Sequence, residues 1–587
     1  MAEPTNSEIA VALDELGDLY ELDGAVIHRI VAYRNAAKAV RDAPVSVTAL
    51  AREGRATDLP GVGAIIQEKV LALAEDGVIP AAVKLRAKFP AGLLELTHMP
   101  GLGPKRARRL YEELGIDSID AVAQAATAHR IRELKGFGPK AEQSLLAAAE
   151  TARAQAAAAA ETGGGSRMVL HRALAVGEQL VTALREHPAA ERVELAGSAR
   201  RMADSVKDLD IIATAHDPLA LATAAARLDL VESAQTPGDA GVRLRTHTGL
   251  SVDLRIVAPN QFGNLMQHFT GSKQHNTSLR AAAVRKGLHV SEYGVLDDVT
   301  GETHRCETEQ QVYALLGMDY IEPELRENRG ELEAAARHEL PQLIEIADLR
   351  GDLHSHTTAS DGTASIQEMA RAARGAGYDY LAVTDHSGVV GTRLEPDRLR
   401  EHIDAIRSLS GTDEVDGITL LAGSEVNVLP DGSLDYDNEV LAGLDWVVAS
   451  VHSSFQMDAS AMTARIVRAI ENPMVDVIGH LTGRKIERRP PYELDFAAVL
   501  DAAKRSHTML EINASPDRRD LDDPHARAAA QAGIGIVISC DAHRTGGFEV
   551  ARYGIATARR VWLGPDAVVN TRPWDEVAAL RPRALAG

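Results

Sequence analysis

Two cysteines, Cys306 and Cys540, stand among 587 residues, too few for a disulfide framework or a thiolate zinc site, which fits a reducing compartment. Long hydrophobic runs are absent as well. Nothing approaches the roughly eighteen apolar residues of a spanning helix, and the opening MAEPTNSEIA lacks the basic-then-apolar order of a secretory signal. The expectation is a cytoplasmic protein with no membrane contact. Cations are also in deficit, 63 Lys plus Arg against 84 Asp plus Glu, a net charge of −21. That balance speaks against general nucleic-acid binding, because phosphate neutralisation needs Lys and Arg. The deficit is uneven, about −3 in residues 1–150, about −6 in 151–340 and about −12 in 341–587. What is present is ordinary globular usage, 45% apolar and 25% charged, over a length that predicts three or more domains.

A joint between units is expected at residues 154–166 (AQAAAAAETGGGS), where a helix-forming alanine run ends in three glycines. A polar, Glu-rich stretch at 321–348 reads as a second boundary, after which apolar strand, polar tip and helix alternate as in an α/β domain.

Within the first 150 residues one signature recurs: Leu59-Pro-Gly61-Val-Gly63, Met99-Pro-Gly101-Leu-Gly103 and Leu134-Lys-Gly136-Phe-Gly138. The glycines allow a tight turn between two helices whose N–H groups approach a phosphate, and Lys69, Lys105, Arg106 and Lys140 follow them. One copy alone is as easily a plain helix–helix turn. Three, each followed by a basic residue, resemble the helix-hairpin-helix motif, which grips the DNA backbone without reading sequence. In the helical segment 27–39, His28, Tyr33 and Arg34 are further phosphate candidates.

Residues 195–214, LAGSARRMADSVKDLDIIAT, place Asp208 and Asp210 on one face of a strand, where two carboxylates are costly unless cations lie between them. Asp253, in the alternation LSVDLRIV, can join them from a neighbouring strand. Three carboxylates suit a pair of divalent ions for in-line phosphoryl displacement, and Gly197, Ser198 and Arg201 offer a backbone approach, a hydroxyl and a charge to a triphosphate. Together with Phe269-Thr-Gly271-Ser, Asn276, Arg280 and Glu292-Tyr293, these blocks resemble the family X DNA polymerases over residues 1–318. The resemblance implies that Asp208, Asp210 and Asp253 hold two Mg²⁺ or Mn²⁺ ions. It also implies that Phe269 and Gly271 line the sugar, and that Asn276 and Arg280 touch the minor groove. By the same resemblance Lys69 is the candidate Schiff-base lysine of a 5′-deoxyribose phosphate lyase. Three positions depart from the family pattern, namely Ile65 for a companion lysine, His268 for a tyrosine and Lys273 for an aspartate.

The last part of the chain carries His354, His356, Asp361, His386, Glu425, His452, His480, Asp541 and His543, most of them just after an apolar strand-like run. Polar residues at strand C-terminal ends with helices between describe the top of a β/α barrel. A lone histidine is usually structural, as His402, His507 and His525 are read here. Six histidines with three acids are too many for one ion and suit two or three Zn, Mn or Fe ions. These motifs resemble the polymerase and histidinol phosphatase (PHP) domain, with all nine ligand positions filled. Asn513, in Glu-Ile-Asn-Ala-Ser, and Arg518 are candidates to shape the pocket, with ordinary loop roles as the equal alternative.

The whole order resembles the bacterial family X DNA polymerases. It implies an N-terminal helical DNA-binding domain (1–85), helix-hairpin-helix fingers (86–153), a nucleotidyltransferase palm (167–257), a thumb (258–320), a linker (321–348) and a distorted, TIM-like β/α barrel (349–575). The expected activity is template-directed gap filling with a metal-dependent 3′–5′ exonuclease, acting as a monomer on gapped or primed DNA and dNTPs, with abasic-site cleavage as a lesser activity. Two readings stand beside it: a phosphatase of a small phosphomonoester, and a DNA-binding scaffold with an inactive palm.

Overall fold

The computed structural model describes residues 3–97, 99, 101–162, 167–388 and 394–585. The chain forms two compact units, one of Met1–Met168, Arg172–Leu195 and Lys207–Ala258, the other of Val169–His171, Ala196–Val206 and Pro259–Gly587.

The first unit begins with helices. Thr5 and Glu8 form a capping box at the start of α1 (Asn6–Leu22), whose Ile9, Leu13 and Leu16 pack on α2 (Ile27–Asp42) through Tyr33, Ala36 and Val40. The three repeats then share one conformation. Gly61, Gly101 and Gly136 lie at φ +80°, +81° and +89°, where a Cβ is disfavoured. The residues that follow, Val62, Leu102 and Phe137, are buried. Each turn then opens a helix: α3 (Ala64–Asp76), α4 (Pro104–Leu114) or α5 (Pro139–Thr162). The alanine run assigned to a joint continues α5 as far as Thr162, and its glycines, 163–166 with Ser166, lie outside the described residues.

A five-stranded sheet completes this unit. Its strands are β1 (Ala190–Leu195), β2 (Asp208–Ala215), β3 (Val231–Ala234), β4 (Gly241–Thr246) and β5 (Ser251–Ile256), in the order β1-β2-β5-β4-β3. Only β2 and β5 are parallel, and this pairing sets Asp210 directly opposite Asp253.

In the second unit, α6 (Phe262–Thr270) and α7 (Lys273–Val284) pack with a three-stranded antiparallel sheet. The segment 321–348 corrects the expected linker. Ile321, Leu325, Leu332 and Leu343 are buried in the same core as Leu279, Val295 and Tyr313, and Arg326 is fully buried beside Glu309. One of its glutamates is structural: Glu331 accepts from His275 at 2.6 Å in a site closed to solvent, while Glu333, Glu339 and Glu345 are exposed.

The rest is a parallel barrel of seven strands, β6 (Gly351–Asp352), β7 (Tyr380–Val383), β8 (Thr419–Asn427), β9 (Trp446–Ser450), β10 (Val477–Ile478), β11 (Met509–Asn513) and β12 (Ile536–Ser539), each paired with the next. A bridge between Ser355 and Ala542 joins the first strand to the last. Both faces are buried, as near-continuous apolar runs require. Outward Leu381, Val383, Val447, Leu510 and Ile538 pack under the helices, whereas inward Leu421, Trp446, Val448, Met509 and Val537 fill the base of the barrel. Followed upward, the inward positions turn polar: Leu421 leads to Glu425, Val448 to Ser450 and His452, Met509 to Glu511 and Asn513, and Val537 to Ser539 and Asp541.

Candidate functional site

The polar tier at the top of the barrel gathers all nine anticipated side chains. Glu425 is central. Its Oε2 lies 2.9 Å from His386 Nδ1, 3.4 Å from His354 Nε2 and 3.6 Å from His356 Nε2, and its Oε1 lies 3.2 Å from His452 Nε2 and 2.9 Å from His480 Nε2. On the other side, Asp541 Oδ1 is 3.2 Å from His356 Nε2, and Asp361 approaches His543 at 3.3 Å and His386 at 3.6 Å. The atoms fall into three overlapping groups: His356 with Asp361, His386 and His543; His354 with His356 and Asp541; His386 with Glu425 and His452. Ligands at about 2.1 Å around a tetrahedral ion stand roughly 3.4 Å apart, which is the spacing found.

The residues fit divalent metal on a second count. His354 Nε2, both ring nitrogens of His356, His386 Nδ1 and His480 Nδ1 are buried without a hydrogen-bond partner, a cost that coordination removes. Electrostatics divide the ligands: against the effect of burial, Glu511 and Glu425 hold His354 well above the usual imidazole range and Glu425 and Asp361 raise His386 to about 10, so metal binding there must displace protons. Burial opposes ionisation of Glu425, but His452, His354 and His386 outweigh it and hold the carboxyl well below the usual range. Burial and then Arg518 push His480 down to about 4, so its imidazole stays neutral, the form that can coordinate.

Most of a supporting layer lies beyond the sequence reading, which names only Asn513 and Arg518 for the pocket. Glu511 accepts from His354 Nδ1 at 2.7 Å through one oxygen and from the His480 backbone N–H at 2.7 Å through the other. Asn427 Oδ1 meets His452 Nδ1 at 2.8 Å. Asp385 accepts from the Thr357 N–H and hydroxyl, Ser360 and His402, so His402 serves the frame of the site rather than its interior. Asn513 donates to Asp541 at 3.1 Å. A lone glutamate inside the buried strand MLEIN was the available signal, since a buried charge needs a partner. Such partners fix the ring orientation of ligating histidines. Glu511→Gln is therefore expected to weaken metal binding about 10–100-fold, measured by chelator competition.

His507 ends its helix in the left-handed region, and His525 binds Asp522 at 2.6 Å, away from the ligands.

The other carboxylate site is an open cleft of about 440 Å³ lined by Asp208, Asp210 and Asp253 with Ser233, Gln235, Arg243, Arg245 and Ser251. Arg255 Nη2 lies 3.0 Å and Arg243 Nε 3.7 Å from Asp253 Oδ2. Their alternation in VRLRT and VDLRI puts these cations beside the acids, which the sequence reading passed over.

Gly197 sits at φ +67° at the start of a single helical turn, Gly197–Arg200. Arg201 departs from the expected free triphosphate ligand. It is 13% exposed, its Nε pairs with Glu327 at 3.0 Å and its Nη1 donates to the Thr270 carbonyl at 2.9 Å. Asn276 departs likewise from a free minor-groove contact, because it donates to the His268 carbonyl at 2.6 Å and accepts from Gln267 at 2.9 Å. A Cβ at Gly271 would meet Asn276 Oδ1 at 2.5 Å, so a larger residue there would require the Asn276 amide to move. Phe269 is half-buried beside His268, ring centroids 5.4 Å apart, and Arg280 is exposed.

Among the hairpin cations the roles divide. Lys105 is exposed, while Arg106 donates to the Gly101 and Gly136 carbonyls, Arg108 to Leu22, and Arg109 to Lys135. These arginines build the turns, an outcome their spacing in the sequence did not separate from phosphate binding. Arg34 likewise pairs with Asp18 and Glu21, Tyr33 is buried, His28 is exposed and Lys69 is half-buried on α3.

A barrel ligated by histidine and carboxylate, a palm with three aligned acids and tandem hairpins define a DNA polymerase joined to a PHP phosphoesterase. Family models agree by region: "Helix-hairpin-helix domain" over residues 4–79, "SAM-like Helix-hairpin-helix tandem" over 93–151, "DNA polymerase beta thumb" over 265–327 and "PHP domain" over 352–515. The DNA polymerase/3′-5′ exonuclease PolX of Bacillus subtilis (strain 168) is 34% identical over 580 residues, 98% of this chain and 99% of that protein. The chain belongs to that family, the bacterial family X DNA polymerases with a PHP domain. A probable phosphatase of Thermoanaerobacter sp. (strain X514) is 31% identical over 38% of this chain and 89% of that protein. The probable phosphatase YcdX of Shigella dysenteriae serotype 1 (strain Sd197) is 27% identical over 40% of this chain and 95% of that protein.

Proposed function

We propose that this chain is a DNA polymerase that fills short gaps during repair and removes 3′-terminal nucleotides with its PHP domain. The observation that carries the reading is the likeness to a polymerase/exonuclease along the whole length, with both acid clusters present. The phosphatases match only about two fifths of the chain, and a small phosphomonoester has no use for tandem hairpins. An inactive scaffold has no reason to keep Asp208, Asp210 and Asp253 aligned on paired strands.

In extension, the primer 3′-oxygen attacks the α-phosphorus of the dNTP and pyrophosphate leaves. Asp208, Asp210 and Asp253 would hold two Mg²⁺ or Mn²⁺ ions, and the nine barrel ligands two or three Zn, Mn or Fe ions; such ions neutralise phosphate charge and lower the pKa of water. Gly197 and Ser198 receive the triphosphate, Phe269 and Gly271 line the sugar, and Arg280 faces the template side. Lys105 and the N–H groups of the hairpin turns hold the DNA backbone. Among the described residues no helix is long and apolar enough to cross a membrane.

The test is a one-nucleotide-gapped duplex with a labelled primer, with and without dNTPs and Mg²⁺ or Mn²⁺. Extension with dNTPs and 3′ shortening without them are expected, both abolished by a strong chelator. Wild-type protein lacking both activities would overturn the reading. DNA binding should also weaken steeply with salt. Lys105→Ala is expected to lower the slope of log K against log salt by about one, whereas Arg109→Ala, which removes a turn anchor, should lower the melting temperature instead. A salt titration and a thermal melt of both variants decide this.

A further inference from the structure

Three arginines of the second unit have no part in the barrel's metal chemistry. Arg484 lies just beyond His480 in the loop after β10, Arg519 lies in the loop after β11, and Arg560 ends the helix Ala551–Arg560. All three reach one segment, Ala196–Val206, the connection between palm strands β1 and β2 that carries Gly197 and Ser198, and all belong to the same compact unit.

The contacts fall on consecutive parts of that segment. Arg560 Nη1 donates to the Arg201 carbonyl at 2.7 Å and meets Glu327 at 3.0 Å, the same carboxylate that holds the Arg201 side chain. Arg519 Nη1 donates to the Met202 carbonyl at 2.8 Å and lies 3.1 Å from Asp204. Arg484 Nη1 donates to the other Asp204 oxygen at 2.8 Å, and its Nη2 donates to the Arg519 carbonyl at 2.6 Å. Arg519 is fully buried, and the side chains of Arg560 and Arg484 are 8% and 11% exposed.

The segment needs such support. A single helical turn does not repay its own nucleation, Gly197 is at φ +67°, and the non-glycine Met202 is at φ +56°, a strained conformation that persists only where surroundings impose it. Burying three guanidinium groups is expensive unless every one is paired. Here each guanidinium has a carboxylate partner, and together they hold the backbone carbonyls of residues 201 and 202 and the side chain of Asp204.

We infer that Arg484, Arg519 and Arg560 of the barrel half are positioning residues for polymerisation: they hold the loop that receives the dNTP triphosphate in its binding conformation. The inference rests on the reading of Gly197 and Ser198 as triphosphate ligands. Its consequence is that the nuclease domain is a structural part of nucleotide binding, independent of its own metals.

The test measures steady-state dNTP incorporation on gapped DNA by the full-length protein for Ser198→Ala, Asp204→Asn, Arg484→Ala and the double variant Asp204→Asn/Arg484→Ala. Ser198→Ala should raise the dNTP KM about tenfold, as loss of a charge-assisted hydrogen bond does. Asp204→Asn and Arg484→Ala should each lower kcat/KM for dNTP by about 10–100-fold, the effect of an ångström-scale misplacement, mainly through KM. The double variant should be little worse than either single one. In Asp204→Asn, exonuclease rate and DNA affinity should stay near wild type even as the melting temperature falls, because the buried Arg519 loses its carboxylate partner; a merely structural role would lower extension and exonuclease together. Arg519→Lys, which keeps a charge near Asp204, should lose less than Arg519→Ala. Normal dNTP kinetics in Asp204→Asn and Arg484→Ala beside an impaired Ser198→Ala would overturn the inference and leave the triphosphate reading standing. So would an equal fall of extension and exonuclease in Asp204→Asn. A normal KM in Ser198→Ala would overturn the triphosphate reading and the inference with it.

Discussion

Asp210→Ala is expected to lose primer extension by at least about 10³-fold while keeping wild-type 3′ degradation. Asp210 lies directly opposite Asp253 on the parallel strand β5, and Asp208 lies two residues away on its own strand, so Asp210 is the middle acid of the three. Removing the middle carboxylate of such a set takes a ligand from ions worth several kcal/mol in the transition state, and 1.36 kcal/mol is tenfold in rate. Nearby Arg243 and Arg255 would then face Asp253 with less opposing charge, so the cleft would turn more cationic and DNA affinity should not fall. A labelled primer on gapped DNA reads extension with dNTPs and shortening without them. Equal loss of both would show one site serving both reactions.

The reverse pattern is expected of Glu425→Gln. Both oxygens of Glu425 face imidazole nitrogens, three on one side and two on the other. The substitution keeps the shape and removes the charge that His354, His386 and His452 balance. Exonuclease activity should fall by about 10³-fold, again several kcal/mol of lost ion stabilisation. Metal content of the purified protein should drop, and gap filling should remain. Metal analysis beside the primer assay checks both halves. Retained metal with retained exonuclease would remove Glu425 from the centre of the site.

Much of this was legible in the sequence because ligands cluster where alternation and strand ends place them. The inward positions of a parallel strand are forced apolar at its base, so a histidine or acid at its tip stands out, as Glu425, His452 and Asp541 do. Asp208, Asp210 and Asp253 were legible for the same reason, since period-two spacing fixes their face. Partner choice was not legible. Arg106 and Arg109 follow a phosphate-binding turn in sequence, yet carbonyls of neighbouring turns claim them. Residues 321–348 look solvated by composition, and only the fold shows that Arg326 and Glu331 are buried against Glu309 and His275. Arg201 met the same fate through Glu327. In each case the deciding atom is more than a dozen residues away along the chain, where no spacing rule reaches.

The closure of the barrel has a consequence in time. Its first strand leads into His354 and His356 and its last into Asp541 and His543, and the seam between them is sewn by the Ser355–Ala542 bridge and by the bond from Cys540 N–H to Asp352, 188 residues apart. During synthesis from the N-terminus, the hairpins, the palm strands and the thumb all leave the ribosome before that seam can close. A nascent chain therefore has its palm acids in hand while its DNA-degrading centre is still missing one wall, and a message cut short anywhere before Asp541 yields a product without a complete exonuclease metal site.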